Sequence, residues 1–375
     1  MRIIFLSLLV LLLINCSYNN NQVEDKLRSE LENIINEGDI PGINLAIVST
    51  DKIITVSAGY SDKEKKILMK PEDVMFSGST GKTFCAALIL QLVDEGKLDL
   101  DDLISKYFKG QEWFSRIPNA DKITIRMLLN HTTGLPRYAF DDSIWKALKE
   151  NPDKTWTGEE RLSFIYDMDP IHPAGKGWAY SDTNYIILGM LIEKLTDNEY
   201  YEELSKRILV PNHLIKTYPG NSREISGLVP GYSVHSDALF IPEKVILEDG
   251  KFAFNPQMEF TGGGIACTTL DLAKWGAMYY GGEVFSEKSK NEMIRPCDQK
   301  TDLKDGAGYG FAAFVWNDSS RISYGHTGFF PGYVTIVEYI PNLKLSVAMQ
   351  WNTDKKNTNK SLHQHINDIK KVLEI

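Results

Sequence analysis

Strand-like text at both ends of the chain, with helical text between, is the feature that most restricts how this polypeptide can fold. Near the start, "INLAIVST" and "KIITVSAGY" read as a hairpin turning at "DK". The far end returns to strands in "YGFAAFVW", "RISYGHTG", "GYVTIVEYI" and "LKLSVAMQW". From about residue 98 to 261 apolar residues recur at helical spacing, broken by Pro, Asn and Gly, as in "KITIRMLLNHTTGLP" and "TNYIILGMLIEKLTD". Strands at both ends around a helical middle imply an α+β fold, an antiparallel sheet closed by the two termini and flanked by helices. The expected division is one unit over 23–375: an α/β lobe from 23–78 and 262–375, and a mostly helical lobe, 79–261, inserted between.

Smaller signals fill in this frame. "VEDKLRSELENIINEG" has helical spacing and stops at Gly38. The apolar run from Phe84 to Val93 predicts a helix buried on every side. "TGGGIACTTLDLAKWG" offers three glycines, Gly262 to Gly264, and a Thr268-x-x-Asp271 capping box, and a last helix is expected after Asn357. His363 and His365, two apart on that helix, fall on different faces and are expected to be solvated.

The 375 residues, 43% hydrophobic and 24% charged, suit an enzyme-sized globular body. A net charge of −9 with no basic stripe excludes a nucleic-acid surface. "MRIIFLSLLVLLLINCSYNNNQ" is too short in its apolar run to span a bilayer and reads as an export signal over 1–15. Cys16 is then the candidate lipidated residue, 16–22 a polar tether, and membrane contact is expected only through that lipid anchor. Beyond Cys16, Cys85, Cys267 and Cys297 suggest neither a disulfide framework nor a zinc site, and Cys85 reads as a buried thiol.

The chemistry concentrates in "FSGSTGKTF", residues 76–84. A phosphate-binding loop needs a glycine where Phe76 stands, and a hydrolase elbow of the Gly-x-Ser-x-Gly kind fails at Ser77. Ser-x-x-Lys survives. The chain holds a second match, Ser143 to Lys146, but that one lies in a charged stretch, whereas Lys82 opens an apolar helix. Burial disfavours a charged amine, so Lys82 is expected to be neutral for part of the time and to take the proton of Ser79. Backbone N–H groups at the helix start would face a developing oxyanion.

Two further motifs follow in order, "GWAYSDTNYIILG" and "YGHTGFFPGY". With them the chain, from about residue 25 to 352, resembles the serine β-lactamase and penicillin-binding protein superfamily, in its class C β-lactamase and serine DD-peptidase branch. The resemblance implies the β-lactamase/transpeptidase fold and a catalytic set of Ser79, Lys82 and Tyr180, the phenol passing a proton to the leaving group. It implies that His326, Thr327 and Gly328 form the edge-strand motif, Thr327 binding a substrate carboxylate, with the N–H of Phe329 joining that of Ser79 as oxyanion donor. Asp182 departs from the pattern, which has Asn; it would repel a substrate carboxylate, attract an amine, or only cap a helix. Asn184 is the nearby amide, out of register for direct substitution. His131 and Gly262 to Gly264 match architectural positions.

The reading is an exported serine hydrolase that transfers an acyl group to water through a Ser79 acyl-enzyme, with no metal or organic cofactor. Its partners are small-molecule or peptidoglycan-like peptide substrates: D-peptides, β-lactams or esters. The rival is a non-catalytic envelope protein that keeps this fold to bind such ligands. Whether Ser79 acquires a covalent acyl group separates the two.

Overall fold

A computed structural model of the protein describes residues 22–318, 321–355 and 359–375. The export segment, Cys16 and Asn357 lie outside the described residues. The sheet joins the chain ends as the strand pattern requires. Eight antiparallel strands run in the order β3-β2-β1-β11-β10-β9-β8-β7. They are β1 (Gly42–Val48), β2 (Ile53–Asp62), β3 (Ile67–Leu68), β7 (Gly308–Tyr309), β8 (Phe314–Asp318), β9 (Arg321–Phe330), β10 (Tyr333–Ile340) and β11 (Leu345–Trp351). Ala46 of β1 lies opposite Ala348 of β11, so the first and last long strands are neighbours.

Helices cover both faces because both faces are apolar. On one, helix α1 (22–38) and the C-terminal helix bury Leu27, Leu31, Ile366 and Ile369 against Leu45, Ile336 and Val347. On the other, helix α4 (Thr269–Gly281) crosses β10 and β11. Gly276 permits that approach, since a methyl there would stand 2.4 Å from Val337 Cγ2. Helix α2 (Lys82–Asp94) is buried from Lys82 to Leu90, as its all-round apolar text predicts. Its Phe84 stacks on Trp275 of α4, centroids 4.4 Å apart, an aromatic contact of about 1 kcal/mol beyond burial. Helix α3 (Thr183–Thr196), similarly apolar, runs beside α2.

Four expectations change in detail. The inserted region is not wholly helical: β5 (Thr217–Pro219) joins β4 (Val74–Phe76) and β6 (Ile265–Thr268) in a small second sheet. "YGFAAFVW" splits into β7 and β8 around Gly310 to Ala313. Thr268 caps α4 by accepting from Asp271 N, but no capping box closes, because the Asp271 carboxylate accepts instead from Lys216 N at 2.7 Å and so ties β5 to α4. His363 and His365 are both buried. Their helix, α5 (Leu362–Val372), lies over the sheet. His363 shares Glu338 of β10 with Lys370 and stacks on Trp316 at 4.5 Å, while His365 packs edge-on against Trp351.

Candidate active site

The strand β4 ends at Phe76, and the chain then tightens into a single 3-10 turn, Gly78–Gly81, before α2 begins at Lys82. That turn lifts Ser79 to a half-buried position at the junction of the sheet edge and the helical lobe. Glycines make the junction possible. Gly78 has φ of 51°, and a methyl on it would lie 2.4 Å from the carbonyl oxygen of Phe329 and 2.7 Å from its nitrogen. A methyl on Gly328 would stand 1.9 Å from Ser77 O and 3.3 Å from Ser79 N. Backbone of β9 therefore packs directly on the serine turn, with Phe329 N against Gly78 and Ser79 N against Gly328. Gly263 closes the third side, a methyl there falling 2.7 Å from Gly78 C.

Lys82 sits one turn on from the serine, fully buried. Its Nζ donates to Ser79 Oγ at 3.1 Å, to Asp182 Oδ1 at 2.6 Å and to the carbonyl of Gly262. An ammonium has three protons, and all three are placed. Burial alone would lower the lysine pKa, but the Asp182 carboxylate outweighs it and the pKa is raised. The expectation of a part-time neutral amine is therefore corrected: an acid the motif does not contain holds the proton on Lys82.

Asp182 is likewise more than the helix cap considered from sequence. It precedes α3 but makes no side-chain cap. Its second oxygen accepts from Arg137 Nη2 at 2.7 Å and Nε at 3.1 Å. Burial would raise its pKa, yet Arg137 and Lys82 together drive it well below the usual carboxylate range. The carboxylate is thus committed to two cations, and neither repels nor attracts substrate as a lone charge would. Asn184 is also corrected. It is fully buried, accepts from Thr133 Oγ1 at 2.7 Å and meets His131 Nδ1 at 2.8 Å, so its amide faces no substrate.

Tyr180 stands at the same junction, with Lys82 Nζ 5.0 Å from its ring centroid. Its phenolic oxygen is buried, with Ser79 and Lys82 as its polar neighbours. Burial raises its pKa against the pull of the Lys82 ammonium, so the resting group is a neutral phenol. His131 packs against this ring at 4.2 Å, consistent with a supporting position. His326 is buried with both nitrogens engaged, Nε2 to Tyr309 Oη at 2.8 Å and Nδ1 to its neighbour's carbonyl at 2.6 Å. Burial, then Lys82, lowers its pKa to about 3, so it supplies no positive charge. Alternation along β9 turns the half-buried Thr327 and the exposed Phe329 side chains to the face opposite His326 and Gly328.

The structure thus brings Ser79, Lys82, Tyr180, Asp182, His326, Gly328 and the backbone of Phe329 together. The rival Ser143 and Lys146 lie exposed on the helix Asp142–Glu150. Two charged residues escaped the sequence reading. Arg137 follows the "HTTGLP" loop directly, and Glu259 is a lone acid between Met258 and Phe260 before the glycine run. Burial, then Asp182, pushes the Glu259 carboxyl up to about 7.

Fold and junction are those of a serine hydrolase class. A family model described as Beta-lactamase matches residues 23–369, and the chain belongs to that family. It is 26% identical over 319 residues to penicillin-binding protein 4* of Bacillus subtilis, covering 82% of this chain and 67% of that one. Protein flp of Staphylococcus aureus is 29% identical over 199 residues, 52% of this chain and only 38% of flp. A D-stereospecific amidohydrolase from Streptomyces superposes with a TM-score of 0.77 at 24% identity, covering 92% of this chain and 97% of that one. The octameric penicillin-binding protein homologue of Pyrococcus abyssi gives 0.74 at 24% identity, over 94% and 77% of the two chains. These superpositions establish the β-lactamase/transpeptidase fold.

Proposed function

We propose that the protein is an exported serine hydrolase that opens an amide or ester carbonyl through a Ser79 acyl-enzyme and passes the acyl group to water. The observation that carries this reading is Ser79 Oγ held 3.1 Å from a buried ammonium, beside the buried phenol of Tyr180, which has no further hydrogen-bond partner among the described residues. The Lys82 ammonium donates to Oγ, so the serine's own proton is directed away from it. As Oγ attacks the carbonyl, that proton passes to the Tyr180 oxygen while the phenol's own proton moves to the leaving atom, and the adjacent ammonium stabilises the phenolate character that develops between the two transfers. The amine or alcohol departs with the phenol's former proton, and Tyr180 is again a neutral phenol. The N–H groups of Ser79 and Phe329 receive the oxyanion, and the same groups act in reverse order when water attacks the acyl-enzyme. Lys82 works as a fixed charge, because Asp182 keeps it protonated.

D-peptides, β-lactams and esters are the substrates this site suits, a range supported by a penicillin-binding protein among the relatives and a D-stereospecific amidohydrolase among the structural neighbours. The hydrophobic leader ending at Cys16 supports export and a lipid anchor, checked by metabolic labelling with palmitate. Treating the purified protein with a fluorescent penicillin and a reactive phenyl ester tests the chemistry. Label or turnover is expected in the wild type and is reduced at least about 100-fold in Ser79→Ala and Lys82→Ala. A lasting penicillin adduct indicates a peptidase, rapid loss a β-lactamase, and ester turnover alone an esterase. No Ser79-dependent adduct with any donor would replace this reading with the non-catalytic binding protein.

A further inference from the structure

Arg137 is the cation of this cleft that the proposed chemistry leaves unused, and the chain builds it a fixed seat. Ser181 and Thr183, the residues on either side of Asp182, both donate hydroxyl protons to the carbonyl of Pro136, at 2.9 and 2.7 Å. Thr183 Oγ1 also accepts from Tyr138 N at 3.2 Å. The backbone before and after Arg137 is thus clamped by the two neighbours of Asp182, and the guanidinium meets the carboxylate through Nε and Nη2 together. Such a forked contact fixes direction as well as distance. The guanidinium carbon then lies 5.3 Å from the Tyr180 ring centroid, as the Lys82 ammonium lies 5.0 Å from it. One carboxylate therefore joins two cations, and both stand over the ring of the phenol that relays the proton.

Charge explains why Arg137 and Asp182 come as a pair. The family pattern has a neutral amide where Asp182 stands, which leaves Lys82 as the one cation beside the serine. Here Asp182 subtracts a charge and Arg137 returns it, so Lys82, Asp182 and Arg137 together again carry one net positive charge. We propose that Arg137 is a positioning residue that acts with Asp182 as a unit in place of that amide, aiming the carboxylate at Lys82 and adding a second positive charge over the Tyr180 ring as phenolate character develops. The inference rests on the reading of Ser79 as the acylated residue. Asp182 without Arg137 overcompensates Lys82, and Arg137 without Asp182 presses on it as a like charge. Besides Asp182, Lys82 faces Tyr180, Tyr185, Glu259, the Cys85 thiol and two histidines, His131 and His326, which burial keeps neutral. Arg137 faces Tyr180, Tyr138, Glu259 and His131, and Arg161 lies near Glu259. All of these are retained in the variants compared, and Glu259, which titrates at about 7, is ionised at the pH chosen.

The test is kcat/KM for 4-nitrophenyl acetate at pH 9, which reports acylation, with Ser79→Ala as the blank. In the wild-type background Arg137→Gln is expected to lower kcat/KM about three- to tenfold, because the developing phenolate loses a cation, and Arg137→Lys to recover about half of that loss or more. In the Asp182→Asn background the sign reverses. There Arg137→Gln is expected to raise kcat/KM about threefold or more, since removing the like charge lets Lys82 keep its proton, and to move the alkaline limb of the rate–pH profile back up. A side chain that only filled space would lower the rate in both backgrounds and leave the limb in place. Arg137→Gln at the wild-type rate, a loss in both backgrounds, or Arg137→Lys no faster than Arg137→Gln overturns the proposal. The wild-type-background pair decides the matter if Asp182→Asn fails to fold, and the double variant against Asp182→Asn decides it if Arg137→Gln alone does. No Ser79 adduct in the wild type removes the hydrolase reading and this role with it, whereas wild-type acylation with additive substitutions removes only the role of Arg137.

Discussion

Single side chains in the cleft are governed by how one carboxylate is divided between two buried cations. Asp182→Ala removes the carboxylate that Lys82 and Arg137 share, and is expected to lower stability by about 3–5 kcal/mol in urea unfolding. Asp182→Asn keeps the shape but removes the charge, so burial acts on Lys82 with its main opponent gone and the amine pKa falls. The alkaline-side limb of Ser79 acylation by a neutral ester should then move to lower pH, a shift read from rate–pH profiles. Ser79, Lys82 and Tyr180 were legible because motif order and local spacing mark them. Arg137, Glu259 and the Gly262 carbonyl were not, because they reach Lys82 and Asp182 from distant points of the chain. The same cause reversed the expected charge state of Lys82: sequence showed that the amine would be dry, and only the fold showed which acid would share its burial.

Elements place these groups through bare backbone. Gly328→Ala would set a Cβ against Ser77 O at 1.9 Å, forcing β9 off the serine turn. Ser79 labelling is expected to drop at least about 100-fold, with a lowered melting temperature, since an oxyanion donor is misplaced along with the strand. At the opposite side of the sheet, Glu338 clasps α5 through His363 and Lys370. Glu338→Ala leaves buried Lys370 without its carboxylate and should cost about 3 kcal/mol, with faster amide exchange in α5 than in α2. An unbroken apolar run announced α2, and a last helix was expected after Asn357. Neither signal showed that α5 would lie over the sheet with His363 against Glu338 and Trp316 and His365 against Trp351. The three-residue strand β5 was equally hidden, its pairing fixed by Asp271 and by β6 rather than by its own text.

The whole molecule records the buried histidines as a pH dependence of stability. Burial holds His131 well below its usual pKa and His326 at about 3, with the Lys82 charge adding to both shifts. Below about pH 6.5 the unfolded chain binds protons at these residues and the native state does not, so their contribution is complete above that pH and is lost on acidification. Glu259, shifted upward, works the other way between its unfolded value and about 7. The effect is therefore read as a difference: between pH 4 and 6, His326→Gln should show a pH slope of stability shallower than wild type by about 1 kcal/mol per unit, in urea unfolding. Sequence by itself determined that the chain ends would share an antiparallel sheet, that a helical region would interrupt it, and that a serine with a dry lysine would open the most buried helix. Those follow from local period and local spacing, which a linear text carries. Only the tertiary structure decided that the lysine stays charged and that Asp182 is spent on two cations. Each is a balance between desolvation and distant charge, and that balance exists only once distant segments of the chain are packed together.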